Sequence, residues 1–145
     1  MEYNITLLKK STPKIAAAIT ELLKQLITPS SIITVDFLQK MIDSPACFIF
    51  IAQNPDKKII GTATLISAPQ LQEYSKTVIE DVVVDANYRG QGIGAALVKT
   101  ALNQARKLGV KNVTLTSRPS RIGANALYKK LGFEPVETNN YRYKY

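Results

Sequence analysis

"VDANYRGQGIGAAL", residues 84–97, carries three glycines at alternate positions, Gly90, Gly92 and Gly94. A β-branched run, Val82, Val83 and Val84, precedes them, and a strongly helical run follows. Glycine is entropically costly to order and weakens helices. Three of them in five residues at a helix entrance imply that something must approach the backbone closely. A strand that enters a glycine-rich turn and opens a helix is an anion site. Free N–H groups and the positive helix end face the ligand, and missing Cβ atoms let phosphate oxygens approach.

Two phosphate-binding layouts fail here. A P-loop closes on Gly-Lys-Ser/Thr, whereas Gly94 is followed by Ala95 and Ala96. Gly90-x-Gly92-x-x-Ala95 fits a dinucleotide fingerprint, but that layout needs an acidic residue about 20 positions on for the ribose. No Asp or Glu occurs between Asp85 and Glu134.

Outward from the loop, periodicity and punctuation predict the elements. Tyr3–Leu8 alternates as a strand. Pro13, capped by Thr12, opens a helix to about Leu26, and Thr28-Pro29-Ser30-Ser31 breaks it. A short helix spans about Val35–Asp43. Cys47–Gln53 and Ile59–Ser67 read as strands around an Asn54–Lys57 turn, the second ended by Ala68-Pro69. Lys76–Asp85 is the strand before the loop, and Gly92–Leu108 the helix after it, with cations in its last turn and Gly109 behind. Asn112–Thr116 reads as a strand, Ile122–Leu131 as a helix, and the Tyr-cation alternation of Tyr141–Tyr145 as a last strand. Three successive strands imply an antiparallel meander, and the later strand–helix–strand a parallel crossover, so the expected fold is α/β (α+β) with a mixed sheet.

The 145 residues suit one domain, 1–145, able to bury roughly 70% of its unfolded surface. No apolar run approaches the ~20 residues of a membrane span. The first ten residues lack the apolar core of a signal peptide, and one cysteine, Cys47, suits a reducing compartment. The reading therefore expects a cytoplasmic protein. Histidine is absent, which removes His-dependent nucleophilic catalysis and the usual zinc sites, and no metal is expected. Residues 1–88 hold 8 Lys/Arg and 9 Asp/Glu, whereas residues 89–145 hold 11 and 2. The basic half begins at the glycines, as a polyanion partner would require: a phosphorylated cofactor or a nucleic acid.

Arg89-Gly90-Gln91-Gly92-Ile93-Gly94, with Tyr88 before it, resembles the pyrophosphate loop of the GNAT superfamily of acetyl-CoA-dependent N-acetyltransferases. Asn125-Ala126-Leu127-Tyr128-Lys129-Lys130-Leu131-Gly132-Phe133 resembles the family's second signature. The two together, in this order and at this spacing, are far more specific than either alone. The resemblance implies a mostly antiparallel, mixed sheet of 6–7 strands flanked by about four helices. It implies acceptor-side elements mainly in 1–75 and an acetyl-CoA-binding core mainly in 76–145.

It further implies direct acetyl transfer to a primary amine in a ternary complex. Pyrophosphate would lie on the amides of Gln91, Gly92, Ile93 and Gly94, beside Arg89, because side chains at Gly90, Gly92 or Gly94 would hold it away. The pantetheine arm would pair with Val82, Val83 and Val84 across a bulged, splayed strand, with Asn125 hydrogen-bonding it. Tyr128 would protonate the departing thiolate. Some family members carry a base where this chain has Val78; Glu80, on the same face of a regular strand, is preferred in its place, with Asp81, expected on the opposite face, second. The acceptor side is expected in the N-terminal helices and near Leu71–Tyr74 and Glu137–Asn140. Ile79–Asp85 is faintly similar to acetylators of amino-sugar phosphates, while the near-neutral acceptor half favours a small cationic or neutral amine over an acidic one, with a peptide or protein amine left open. In parts of the family the last strand pairs across a homodimer. Two other readings stay open: a non-catalytic acetyl-CoA sensor, and a basic nucleic-acid-binding domain, against which the cations are spread over several elements. No membrane partner is expected.

Overall fold

The structure, a computed structural model, describes residues 2–27 and 31–145. The expected break at Thr28-Pro29-Ser30 lies outside them. Strand β1 (Asn4–Leu7) leads to helices α1 (Pro13–Lys24) and α2 (Val35–Asp43). Strands β2 (Cys47–Gln53), β3 (Ile59–Gln70) and β4 (Tyr74–Val84) follow, then a short turn of 3-10 helix at Ala86–Tyr88, α3 (Ile93–Lys107) and α4 (Ile122–Lys130). Thr12 caps α1 by accepting from the Ile15 amide at 3.2 Å, and Thr34 caps α2 by accepting from Phe37 at 3.2 Å. Each satisfies one of the donors that a helix start leaves orphaned.

The strands form one sheet, ordered β1-β2-β3-β4 and antiparallel throughout. Its faces bury different cores. Phe50, Ala52, Ile60 and Leu65 pack with Ile93, Leu97 and Val98 of α3, while Ile49, Ile51 and Val83 pack with Ile19, Leu22 and Leu38 of α1 and α2. Full burial of each such aliphatic side chain contributes roughly 1.5–3 kcal/mol.

The four expected helices are present. The expected sheet of 6–7 strands is not: four occur among the described residues. Of Asn112–Thr116 only Thr114 pairs, in a parallel bridge with Val78 in which Ile79 N–H donates to Thr114 and Thr114 N–H to Thr77. A bulge on β4 just beyond Ile79 stops this ladder. Without a full fifth strand, Tyr141–Tyr145 has no neighbour to pair with, and all five residues are exposed and irregular. Strand β3 runs past Ala68-Pro69, contrary to expectation. Ser67 N–H reaches out to Ala46, and Pro69, two residues on, aims its missing donor the same way, beyond the end of β2.

Candidate active site

The β4 bulge organises the site. Thr62 pairs with Val83 but Thr64 with Glu80, so Asp81 and Val82 together oppose Ala63. Asp81 takes φ +54°, a left-handed conformation uncommon for a residue other than glycine. The extra residue shifts the alternation. Ile79, Val82 and Val84 all pack toward the α3 core, while Val83 packs toward α1 and α2. Cross-strand partners share a face. Glu80 opposes Thr64, and Thr64 and Asp81 line the same cavity, so the two carboxylates lie on one face rather than on opposite faces as expected.

Beyond Ile79 no strand pairs with the outer edge of β4 among the described residues. That edge borders a cavity of about 1130 Å³ closed by the glycine loop and α4. Val82, Val83, Val84, Arg89, Gly90, Gly92, Ile93, Gly94 and Tyr128 all reach it; Gln91 and Asn125 do not. Asn125 instead donates through Nδ2 to the Arg118 carbonyl at 2.9 Å, tying the preceding loop to α4. Arg89 Nε donates to the Val84 carbonyl at 3.1 Å, and Arg121 Nη2 to the Val82 carbonyl at 3.5 Å. The cavity is lined by four cations, Arg89, Lys99, Arg121 and Lys130, and by no acid among the described residues. Lys99 and Lys130 were not anticipated. Each is exposed and borders the cavity from its helix, four residues after Ala95 and three after Leu127, a spacing legible in advance.

The loop itself is held from behind. Asp85 accepts from the Asn87 amide at 3.0 Å and pairs with Lys58 at 3.5 Å, while Lys58 sits 5.3 Å over the Tyr88 ring. Gly92 caps α3 with φ +80° and Gly90 has φ +77°, so backbone conformation demands glycine at both. A Cβ at Gly94 would stand 3.4 Å from Leu127 and 3.7 Å from Val84. No side chain caps α3, which leaves its first amides free for an external acceptor.

Tyr128 is 6% exposed and stacks edge-on against Phe133 at 5.9 Å. Burial pushes its phenol above the usual 10, and Arg121 nearby pulls back. Burial likewise raises the Asp81 carboxyl, opposed by a hydrogen bond from Thr64. Glu80 is raised by burial and by the charge of Asp81, yet it is exposed and borders neither main cavity.

Asp81 opens into a second cavity, about 610 Å³, between the sheet and α1–α2. The two adjoin at the bulge and at the end of α1, where Gln25 and Leu26 line the first and Leu23 and Ile27 the second. Gln25 Oε1 also accepts from the Ala86 amide at 2.9 Å, fastening α1 to the turn after β4. The Leu71–Tyr74 turn, expected on the acceptor side, joins neither. It lies at the far end of the β3–β4 hairpin, where Glu73 accepts from Asn112 at 2.9 Å.

Residues 17–133 match the model of the acetyltransferase (GNAT) family. The chain is 38% identical over 85 residues to glucosamine 6-phosphate N-acetyltransferase of Trypanosoma brucei brucei, covering 57% of this chain and 56% of that protein. It is 36% identical over 91 residues to human N-acetyltransferase 8B, covering 61% and 39%. It thus spans about half or less of these curated relatives. A Trypanosoma brucei acetyltransferase crystal structure superposes with TM-score 0.76 at 27% identity, over 99% of this chain and all of that one. Glucosamine-6-phosphate N-acetyltransferase from Arabidopsis thaliana superposes with TM-score 0.81 at 22% identity, over 99% of both, a likeness of fold. With the glycine loop, the open β4 edge and the family match in agreement, the chain belongs to the GNAT acetyltransferase family.

Proposed function

We propose that the chain moves an acetyl group from acetyl-CoA directly to a primary amine. One observation carries this reading: a cationic cavity and an acidic cavity adjoin at a single bulge, where a thioester and an amine would have to meet. The free amides at the start of α3, with Arg89 and Lys99, suit a diphosphate. The unpaired edge at Val82, Val83 and Val84 suits an amide-bearing arm that adds to the sheet, and one of its N–H groups would polarise the thioester carbonyl.

An ammonium of pKa near 10 costs about 4 kcal/mol to deprotonate at pH 7. Asp81 is better placed than Glu80 to accept that proton, because it is the carboxylate inside the second cavity and its burial raises its basicity. Asp81 hands the ammonium's proton on to solvent; the neutral amine then attacks the thioester carbon, the C–N bond forms, the C–S bond breaks, the nitrogen's surplus proton passes to the regenerated Asp81 carboxylate, and the departing thiolate takes its proton from solvent. Tyr128 stays protonated at neutral pH. Full transfer from a phenol near 10 to a free thiolate near 8.5 is uphill by about 2 kcal/mol, and burial increases this. The phenol therefore acts chiefly by hydrogen-bonding sulfur as negative charge develops.

Calorimetry with acetyl-CoA and thiol release over an amine panel test the reading. Binding with amine-dependent thiol release supports it. Binding without release under any amine identifies a sensor, and no heat at millimolar acetyl-CoA removes the assignment.

A further inference from the structure

The second cavity carries information about the acceptor that the first does not. Nine of its lining residues are apolar, Ile19, Leu23, Phe37 and Met41 among them, and Asp81 is the one ionisable group among the described residues. Thr62 and Thr64 flank that carboxylate on the sheet floor. The Thr62 hydroxyl is already committed to the Phe50 carbonyl at 3.0 Å. At the mouth, Phe37 and Ile32 are 52% and 80% exposed, an apolar rim that water meets unfavourably. No lysine or arginine lines the cavity among the described residues.

Resting on the transfer reading above, we infer that the acceptor is a monoamine with an apolar body, its nitrogen held at Asp81 and its alkyl or aryl part against α1 and α2. A phosphosugar is disfavoured, because its phosphate would enter a cavity whose only charge is negative. A polyamine or aminoglycoside brings several ammonium groups to one carboxylate. A neutral sugar would set hydroxyls against aliphatic walls that cannot hydrogen-bond them. An alkylamine matches both features, one charge and a continuous apolar wall.

The test combines calorimetry and thiol release using propylamine to hexylamine, phenethylamine, spermidine and glucosamine 6-phosphate, with acetyl-CoA saturating. The expected kcat/KM rises about fourfold per added methylene, and phenethylamine exceeds glucosamine 6-phosphate at least 100-fold. Phe37→Lys, at an exposed position, lowers the phenethylamine value about tenfold with the acetyl-CoA Kd unchanged. Asp81→Asn weakens hexylamine binding. Hexylamine that binds in an Asp81-dependent way without thiol release upholds the cavity assignment while the transfer reading falls. A preference for spermidine or glucosamine 6-phosphate, no dependence on chain length, or no binding of any alkylamine overturns the inference.

Discussion

Asp81 and Tyr128 are polar groups that the fold withdraws from water, one in each of the two adjoining cavities, and each carries a measurable consequence. Replacing Tyr128 with Phe should lower kcat about 100-fold while the acetyl-CoA Kd holds. The pH–rate profile of the native protein should climb as the amine loses its proton and turn down only above pH 10, since the Tyr128 phenol is raised from 10.0. That downturn should disappear in the Phe variant. Asp81 has its carboxyl raised from 3.8 by burial, so the folded state holds its proton more tightly than the unfolded state. Its contribution is therefore unfavourable once ionised: absent below the unfolded value, it grows as pH rises toward the folded value and is complete above it. Asp81→Asn should raise Tm at pH 7 by a few degrees, for a stability gain of about 1 kcal/mol, and flatten the acid side of the stability profile, while amine-dependent turnover is lost. Thermal melts from pH 3 to pH 8 would check this. A variant less stable than the native protein at pH 7 would contradict it.

Local chemistry marks the elements well and their partners poorly. The ends of α1, α2, α3 and α4 sit within two residues of their sequence signals, because threonine caps, Pro13 and terminal lysines act over one helical turn. The glycine loop was equally legible. Gly92→Ala should cost about 1–2 kcal/mol, read by urea denaturation, and should weaken acetyl-CoA in calorimetry, because an alanine resists φ +80° at the mouth of α3. Pairing was less legible. Val113 and Leu115 alternate with exposed residues as a strand would, yet a bulge over 30 residues away limits the pairing to Thr114. The expectation that Glu80 and Asp81 occupy opposite faces fails for the same reason, since face assignment by counting assumes an unbroken period of two. The second cavity is not legible in the sequence because Ile19, Leu23 and Met41 carry ordinary core patterning, and only the fold assembles them opposite Asp81.

Across the whole molecule, charge is sorted by cavity as well as by sequence half. Four of the eleven Lys/Arg in residues 89–145, Arg89, Lys99, Arg121 and Lys130, line the first cavity, and among the described residues Asp81 is the one ionisable group lining the second. Raising salt from about 50 mM to about 500 mM should weaken acetyl-CoA roughly tenfold through screening, and Lys99→Ala should lessen that dependence. A Kd indifferent to salt would mean that the cations do not meet the diphosphate. Among the described residues no helix is long and apolar enough to cross a membrane.

The supernumerary residue on β4 is an addition to a strand that is otherwise regular. Excising Asp81 would restore a plain two-residue beat, set Val82 opposite Ala63, and leave Val82 and Val84 toward α3 and Val83 toward α1 and α2. The loss of a single codon would thus spare the apolar facing of the strand and strip the second compartment of its carboxylate.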